Sequence, residues 1–206
     1  MRRILLLLTA CSGLYAQDYY PRHNFTLGAG AALPRGDLGA WLSDSSAVSV
    51  GYGYRFARYF QADIGLDVLF GAARVREFLL TDIGDFRIKD REYFLPMGGR
   101  AIAPLFGGRL LFSGGGGAAF MRYTERVNQP SSYFRLDCPI CTSRSGWGYY
   151  AQANLSMFVD RDHRFRVGAT SRFIRGHTEG EPLGPVPGLR TKDHWINLMG
   201  EVGFSF

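Results

Sequence analysis

Apolar and polar residues alternate along this chain with a period of two. In "AVSVGYGYRF", Val48, Val50, Tyr52, Tyr54 and Phe56 share one face, opposite Ser49, Gly51, Gly53 and Arg55. In "FQADIGLDVLF", Ala62, Ile64, Leu66, Val68 and Phe70 oppose Gln61, Asp63, Gly65 and Asp67. Successive side chains of an extended strand point to opposite faces, so each stretch predicts a strand with one apolar and one polar side. Six more stretches read the same way. They are 23–32 (Phe25, Leu27, Ala29, Ala31), 93–103, 109–123 (where glycines blur the faces), 147–158 (Tyr149 to Met157), 164–173 (Phe165 to Phe173) and 196–206. In the last of these, "INLMGEVGFSF", Ile196, Leu198, Gly200, Val202, Phe204 and Phe206 line one face.

The connections between these strands alternate in length. Short turns fall at 57–59, at "PLFGG" and at "VDRDH"; the other connections, 33–44, 72–92, 124–146 and 175–192, are long. Strands of about ten residues joined by short and long loops in strict alternation are the pattern of a transmembrane barrel. The prediction is therefore an all-β fold, an eight-stranded antiparallel up-and-down transmembrane barrel with apolar faces toward lipid and long loops at one end. Outside the N-terminus no apolar run approaches the roughly 20 residues of a spanning helix. A closed barrel is the other structure that satisfies every backbone group in lipid. A soluble barrel with its apolar faces inward is the alternative; the loop alternation and the aromatic end of the last strand oppose it.

The first residues stand apart from this pattern. "MRRILLLLTACSGLYAQ" has a basic start, an apolar run from Ile4 and small residues before Ala16. That predicts a cleaved secretory signal peptide over 1–16 and a barrel domain over 17–206. "LTAC", ending at Cys11, offers a lipoprotein-type cleavage as the other reading.

Composition agrees with one β-rich domain: 206 residues, 46% hydrophobic, 15% aromatic, 20% charged and 27 glycines. Lys89 and Lys192 are the only lysines among 24 Lys+Arg, and the formal charge is +6. The arginines are scattered among apolar residues and form no stripe along the sequence, so nucleic acid is not an expected partner.

With the apolar faces outward, the polar faces fill the lumen. That places Arg55, Asp63, Asp67, Arg100, Arg164, Arg166, Arg172 and Glu201 inside. An eight-stranded barrel is just wide enough for side chains to fill it, and buried charges must pair. The expectation is a plug of charged side chains; a narrow arginine-lined channel is the other reading. "GGGG", Gly114 to Gly117, lacks the GK[ST] ending of a phosphate loop and reads instead as strand glycines that make room for a bulky neighbour or a bend. Cys138 and Cys141 are expected to form a disulfide in an exported chain, with free thiols, metal or redox use as alternatives. Aromatics near strand ends, including Tyr52, Tyr54, Phe56, Tyr59, Phe60, Trp147, Tyr149 and Trp195, read as interface girdles.

The stretches "GYGYRFARYFQADIGLDVLF" and "HWINLMGEVGFSF" carry a resemblance to a known family. The mature chain resembles the small bacterial outer-membrane β-barrel family, the eight-stranded OmpA/OmpX-like proteins. The resemblance implies residence in the outer membrane and contact with its lipid. It also implies an assembly signal in Val202, Phe204 and Phe206, read by the barrel-assembly machinery after delivery by periplasmic chaperones. The function it implies is structural or surface-interacting, with external loops that meet an unknown partner. The alternatives are a small pore or lateral route for small solutes, and a lipid A-modifying enzyme using Ser171 and His194. No catalytic, cofactor-binding or metal-ligating set stands out.

Overall fold

The computed structural model describes residues 20–36, 38–70, 78–82, 84–127, 138, 141–180, 182, 188 and 190–206. The signal peptide expected over 1–16 lies outside them. Nine strands are present among the described residues: β1 (His23–Arg35), β2 (Ser45–Ala57), β3 (Phe60–Phe70), β4 (Phe78–Thr81), β5 (Gly84–Leu105), β6 (Leu110–Val127), β7 (Ser143–Phe158), β8 (Phe165–Gly180) and β9 (Arg190–Ser205). One helical turn, α1 (Leu38–Trp41), follows β1. The sheet runs β3-β2-β1-β9-β8-β7-β6-β5 and closes through β3–β5. All pairings are antiparallel, so eight strands form a closed barrel, as the alternation predicts. The ninth, β4, folds back on the upper part of β5, with Thr81 opposite Gly84. Among the described residues no helix is long and apolar enough to cross a membrane.

β1 and β9 close the seam, from Asn24 opposite Ser205 to Arg35 opposite His194. The three short turns sit where the sequence places them. Between β5 and β6 a 3-10 turn passes through Gly107 at φ 68°, a conformation glycine adopts without a Cβ clash. Between β7 and β8, the Asp160 carboxylate accepts from the amides of Arg164 at 2.9 Å and Phe165 at 2.8 Å. Desolvation raises the pKa of Asp160; these hydrogen bonds outweigh it and hold the carboxyl below its usual range.

The long glycine run has a packing cause. A Cβ on inward-facing Gly117 would stand 2.1 Å from the Met97 carbonyl oxygen and 2.5 Å from Gly98 Cα. β5 and β6 therefore approach more closely here than any side chain allows.

Several strands are longer than their apolar stretches. The sequence reading starts the fourth barrel strand at Tyr93; the structure starts it at Gly84, and its ladder with β6 runs up to Ile88 opposite Val127. Likewise β8 continues to Gly180 and β9 begins at Arg190, inside the expected loop 175–192. The reason is an inversion of polarity. Toward the short turns the outward face is apolar: Phe56 is 61% exposed, Leu27 57% and Val202 55%. Toward the loops the outward residues become Lys89 and Arg91 on β5 and Arg122 and Arg126 on β6, all exposed, while Ile88, Phe94, Met121 and Val127 turn inward and are buried.

Candidate functional site in the barrel interior

In the half of the barrel nearer the short turns, the interior is polar and closely paired. Arg100 on β5 donates from Nε to Asp63 Oδ2 at 2.6 Å and from its terminal nitrogen to Oδ1 at 2.9 Å. Such a two-pronged contact uses the planar guanidinium fork fully. Asp63 Oδ1 also accepts from Gln61 Nε2 at 2.6 Å, and Gln61 Oε1 accepts from Asn24 Nδ2 at 3.1 Å. Asn24 Oδ1 accepts in turn from Ser205 Oγ at 2.7 Å and from Arg166 at 3.3 Å. Strands β9, β1, β3 and β5 are thus joined from inside.

One layer nearer the loops, Asp67 on β3 pairs with Arg172 on β8. Ser49 Oγ donates to Asp67 Oδ1 at 2.7 Å and Asn197 Nδ2 to Oδ2 at 3.3 Å. Arg172 also donates to Gln152 Oε1 at 3.2 Å and lies over the Tyr150 ring. Glu201 accepts from Asn154 Nδ2 at 2.9 Å. Among these groups is a cavity of about 20 Å³, lined by residues such as Asp63, Arg100, Arg166 and Glu201. That is room for about one water.

Two residues expected in this set sit elsewhere or pair otherwise. Arg164 is exposed just before β8. Arg55 is buried but lies at the turn end, where it donates from Nε to the Arg58 carbonyl at 2.9 Å and covers the Tyr20 ring. The structure places Asp63 with Arg100 and Asp67 with Arg172, while Arg166 meets Asn24 and Glu201 meets Asn154.

Nearer the loops the interior is apolar, which the sequence reading does not foresee. Leu69, Phe94, Met121, Ile174 and Trp195 form one buried cluster, covered by Leu38 and Leu42 at and after α1. Trp195, expected in an outer girdle, is fully buried here, and its Nε1 donates to Tyr123 Oη at 2.9 Å. Phe94 packs on Trp195 with ring centres 5.8 Å apart. Trp147 and Tyr149 do face outward. Above this cluster, Arg144 lies over the Tyr123 ring at 4.1 Å and donates to Thr191 Oγ1 at 3.0 Å. Asp193 accepts from Thr178 and Thr191, each at 2.6 Å. Glu92 is fully buried among them, and neither carboxylate oxygen has a hydrogen-bond partner on another described residue. The signal for this layer was present at 86–92, where Phe86 and Ile88 alternate with Arg87, Lys89 and Arg91. A search for apolar outward faces passes over it.

A disulfide joins Cys138 and Cys141, whose Cα atoms are 5.3 Å apart. Beside it, Thr142 is tied to Glu125 on β6 through its amide at 2.8 Å. The Ser171–His194 pair is not assembled: Ser171 stands opposite Leu198 and His194 opposite Arg175. Four rows separate them, about 13 Å along the strand. No group of three His, Cys, Asp or Glu is placed to hold a metal among the described residues.

The interior is thus polar near the short turns, apolar above that and polar again beneath the loops, inside a wall whose exterior is apolar toward the short turns and charged toward the loops. Comparison with protein-family models and with curated proteins finds no match. Solved structures do match. Neisserial surface protein A, NspA, is 12% identical over 89% of this chain and 97% of its own, with a TM-score of 0.57. The outer membrane protein OprG from Pseudomonas aeruginosa is 11% identical over 91% of this chain and 97% of its own, with a TM-score of 0.57. Ail, the attachment invasion locus protein of Yersinia pestis, is 11% identical over 91% of this chain and all of its own, with a TM-score of 0.53. The chain has the fold of the small outer-membrane β-barrel proteins. At these identities the likeness concerns the fold alone. In this fold the exposed Phe, Leu and Val side chains form an apolar belt around the outside of the barrel.

Proposed function

We propose that this protein is an integral barrel of the bacterial outer membrane with a structural or surface-interaction role and a closed lumen. The observation that carries this reading is the interior. The Arg100–Asp63 and Arg172–Asp67 pairs lie beneath an apolar cluster and a helical turn, and the cavity among the charged groups measures only about 20 Å³. A path for ions would have to cross both layers. What projects beyond the apolar belt is the upper β5–β6 hairpin with β4 and the loop ends, so contact with the outside falls to them. Its other partners on this reading are the outer-membrane lipid, periplasmic chaperones and the barrel-assembly machinery, which would read Val202, Phe204 and Phe206 on the seam strand.

The test is conductance of the full protein in planar bilayers. Repeated insertions without current are the expected result, and reproducible unitary steps would overturn the closed lumen.

One observation favours a second reading, a lateral route for small solutes. The β3–β5 ladder is unbridged between Ile64–Met97 and Asp67–Phe94, because Pro96 has no N–H to donate. Against it, the Pro96 ring fills the space over Gly65, its Cγ 3.4 Å from where a Cβ would stand. Flux of small solutes into vesicles without ionic current would favour this reading.

A further inference from the structure

Above the apolar cluster the inner wall turns acidic. On β5, Asp90 and Glu92 share the inner face with the buried Ile88 and Phe94. On β6, Glu125 shares it with the buried Tyr123 and Val127, and Asp193 on β9 is buried at the same end. Asp90 stands directly opposite Glu125, and like charges so placed weaken a ladder unless a cation lies near them. Among the described residues the inward-facing cation at this end is Arg144, and it is engaged with the Tyr123 ring and Thr191. Asp193 is held by two threonines and Glu125 by Thr142. Glu92 differs from them. It is 0% exposed, and neither oxygen accepts a hydrogen bond from another described residue. Its neighbours across the two ladders are Leu69 on β3 and Tyr123 on β6. A carboxylate so enclosed destabilises the fold unless a positive group meets it.

We infer that this layer binds a linear aliphatic diamine or polyamine, with one ammonium on Glu92 and the next at Asp90 and Glu125. Glu92 and Asp90 are one strand repeat apart, about 7 Å, a span that two ammonium groups on a short methylene chain can bridge. Each ammonium brings three N–H donors to carboxylates that are acceptors only. The apolar flank at Leu69 and Tyr123 suits the methylenes between them. A single metal ion does not fit the arrangement, since no three acids or other ligating side chains converge among the described residues. Asp90, Glu125 and Arg144 are half-buried, so the layer opens toward the loops, while the apolar cluster closes it from below. A solute therefore reaches it from the loop end without crossing the barrel. The inference rests on the barrel interior alone and adds a ligand class to the structural role proposed above.

The test is calorimetric titration of the full protein, refolded in detergent micelles, with cadaverine, n-pentylamine and calcium chloride. A heat-dependent gel shift confirms that parent and variants are folded. The expected result is saturable binding of cadaverine, about tenfold tighter than that of n-pentylamine, which offers a single ammonium. Glu92→Gln keeps the shape of the side chain and removes its charge. It is expected to weaken cadaverine binding about tenfold or more, while Glu179→Gln, at an exposed acid on the outward wall, leaves it unchanged. Absence of saturable cadaverine binding by the parent overturns the inference without any variant having to fold, and so does equal affinity for the monoamine. Unchanged affinity in Glu92→Gln overturns it too. Calcium that displaces cadaverine and binds more tightly would assign the acids to a metal and refute the amine.

Discussion

Arg172 on β8 and Asp67 on β3 form an ion pair across the width of the barrel, because those strands lie diametrically opposite in the ring. Asp67 is fully buried and Arg172 nearly so. Removing one partner strands a charge. Asp67→Ala is expected to cost about 3–5 kcal/mol, and Asp67→Leu with Arg172→Met to recover most of it. Urea unfolding of the vesicle-inserted protein measures both; equal stability of parent and single variant would show that the pair carries no weight.

Glu92 is buried without a side-chain hydrogen-bond partner among the described residues, next to an otherwise apolar layer. Replacing an unsatisfied buried group by an apolar one of similar size relieves its desolvation penalty. Glu92→Leu is therefore expected to stabilise the barrel by about 1–3 kcal/mol. The same unfolding assay decides, and a destabilised variant would mean that the carboxylate is satisfied in the folded protein.

The glycine run offers an internal control. Gly117→Ala drives a Cβ into the Met97 carbonyl, whereas at outward Gly114 the nearest atom is the Gln152 carbonyl oxygen at 3.8 Å. The first change is expected to cost about 2 kcal/mol or more and the second close to nothing. Similar unfolding midpoints for the two variants would contradict the close approach of β5 and β6.

Phe206 is bonded into the seam. Its amide donates to the His23 carbonyl at 2.9 Å, the reverse bond is also 2.9 Å, and its ring stacks on His23 with centres 5.2 Å apart. If the residue is also part of an assembly signal, deleting it should reduce insertion in cells far more than it reduces stability of the protein refolded in vesicles. Parallel losses in the two measurements would leave it a packing role alone.

The barrel and its strand number were legible because lipid imposes one rule on every strand: apolar outside, small or polar inside. Val48 to Phe56 obeys it, and so does Ala62 to Phe70 except at Leu69, which turns into the apolar cluster. Legibility ended where the wall leaves the belt. At 88–92 the outward Lys89 and Arg91 are charged and Ile88 faces in, so the segment read as a loop although it is strand. Trp195 reads as an interface aromatic by its distance from the loops, but its position in the period-two sequence turns it inward. Arg164, read as the first residue of its strand, is exposed one residue before β8 begins.

Alternation, turn spacing and the aromatic last strand determine, by themselves, an eight-stranded barrel with its apolar belt outward, since these are local regularities of a chain paired to its sequence neighbours. Which groups meet across the interior was decided by closure. The meeting of Arg172 with Asp67, separated by 105 positions, the separation of Ser171 from His194, and the capping of the apolar layer by Leu38 all depend on ring order and register. Those are properties of the whole sheet, and no single strand encodes them.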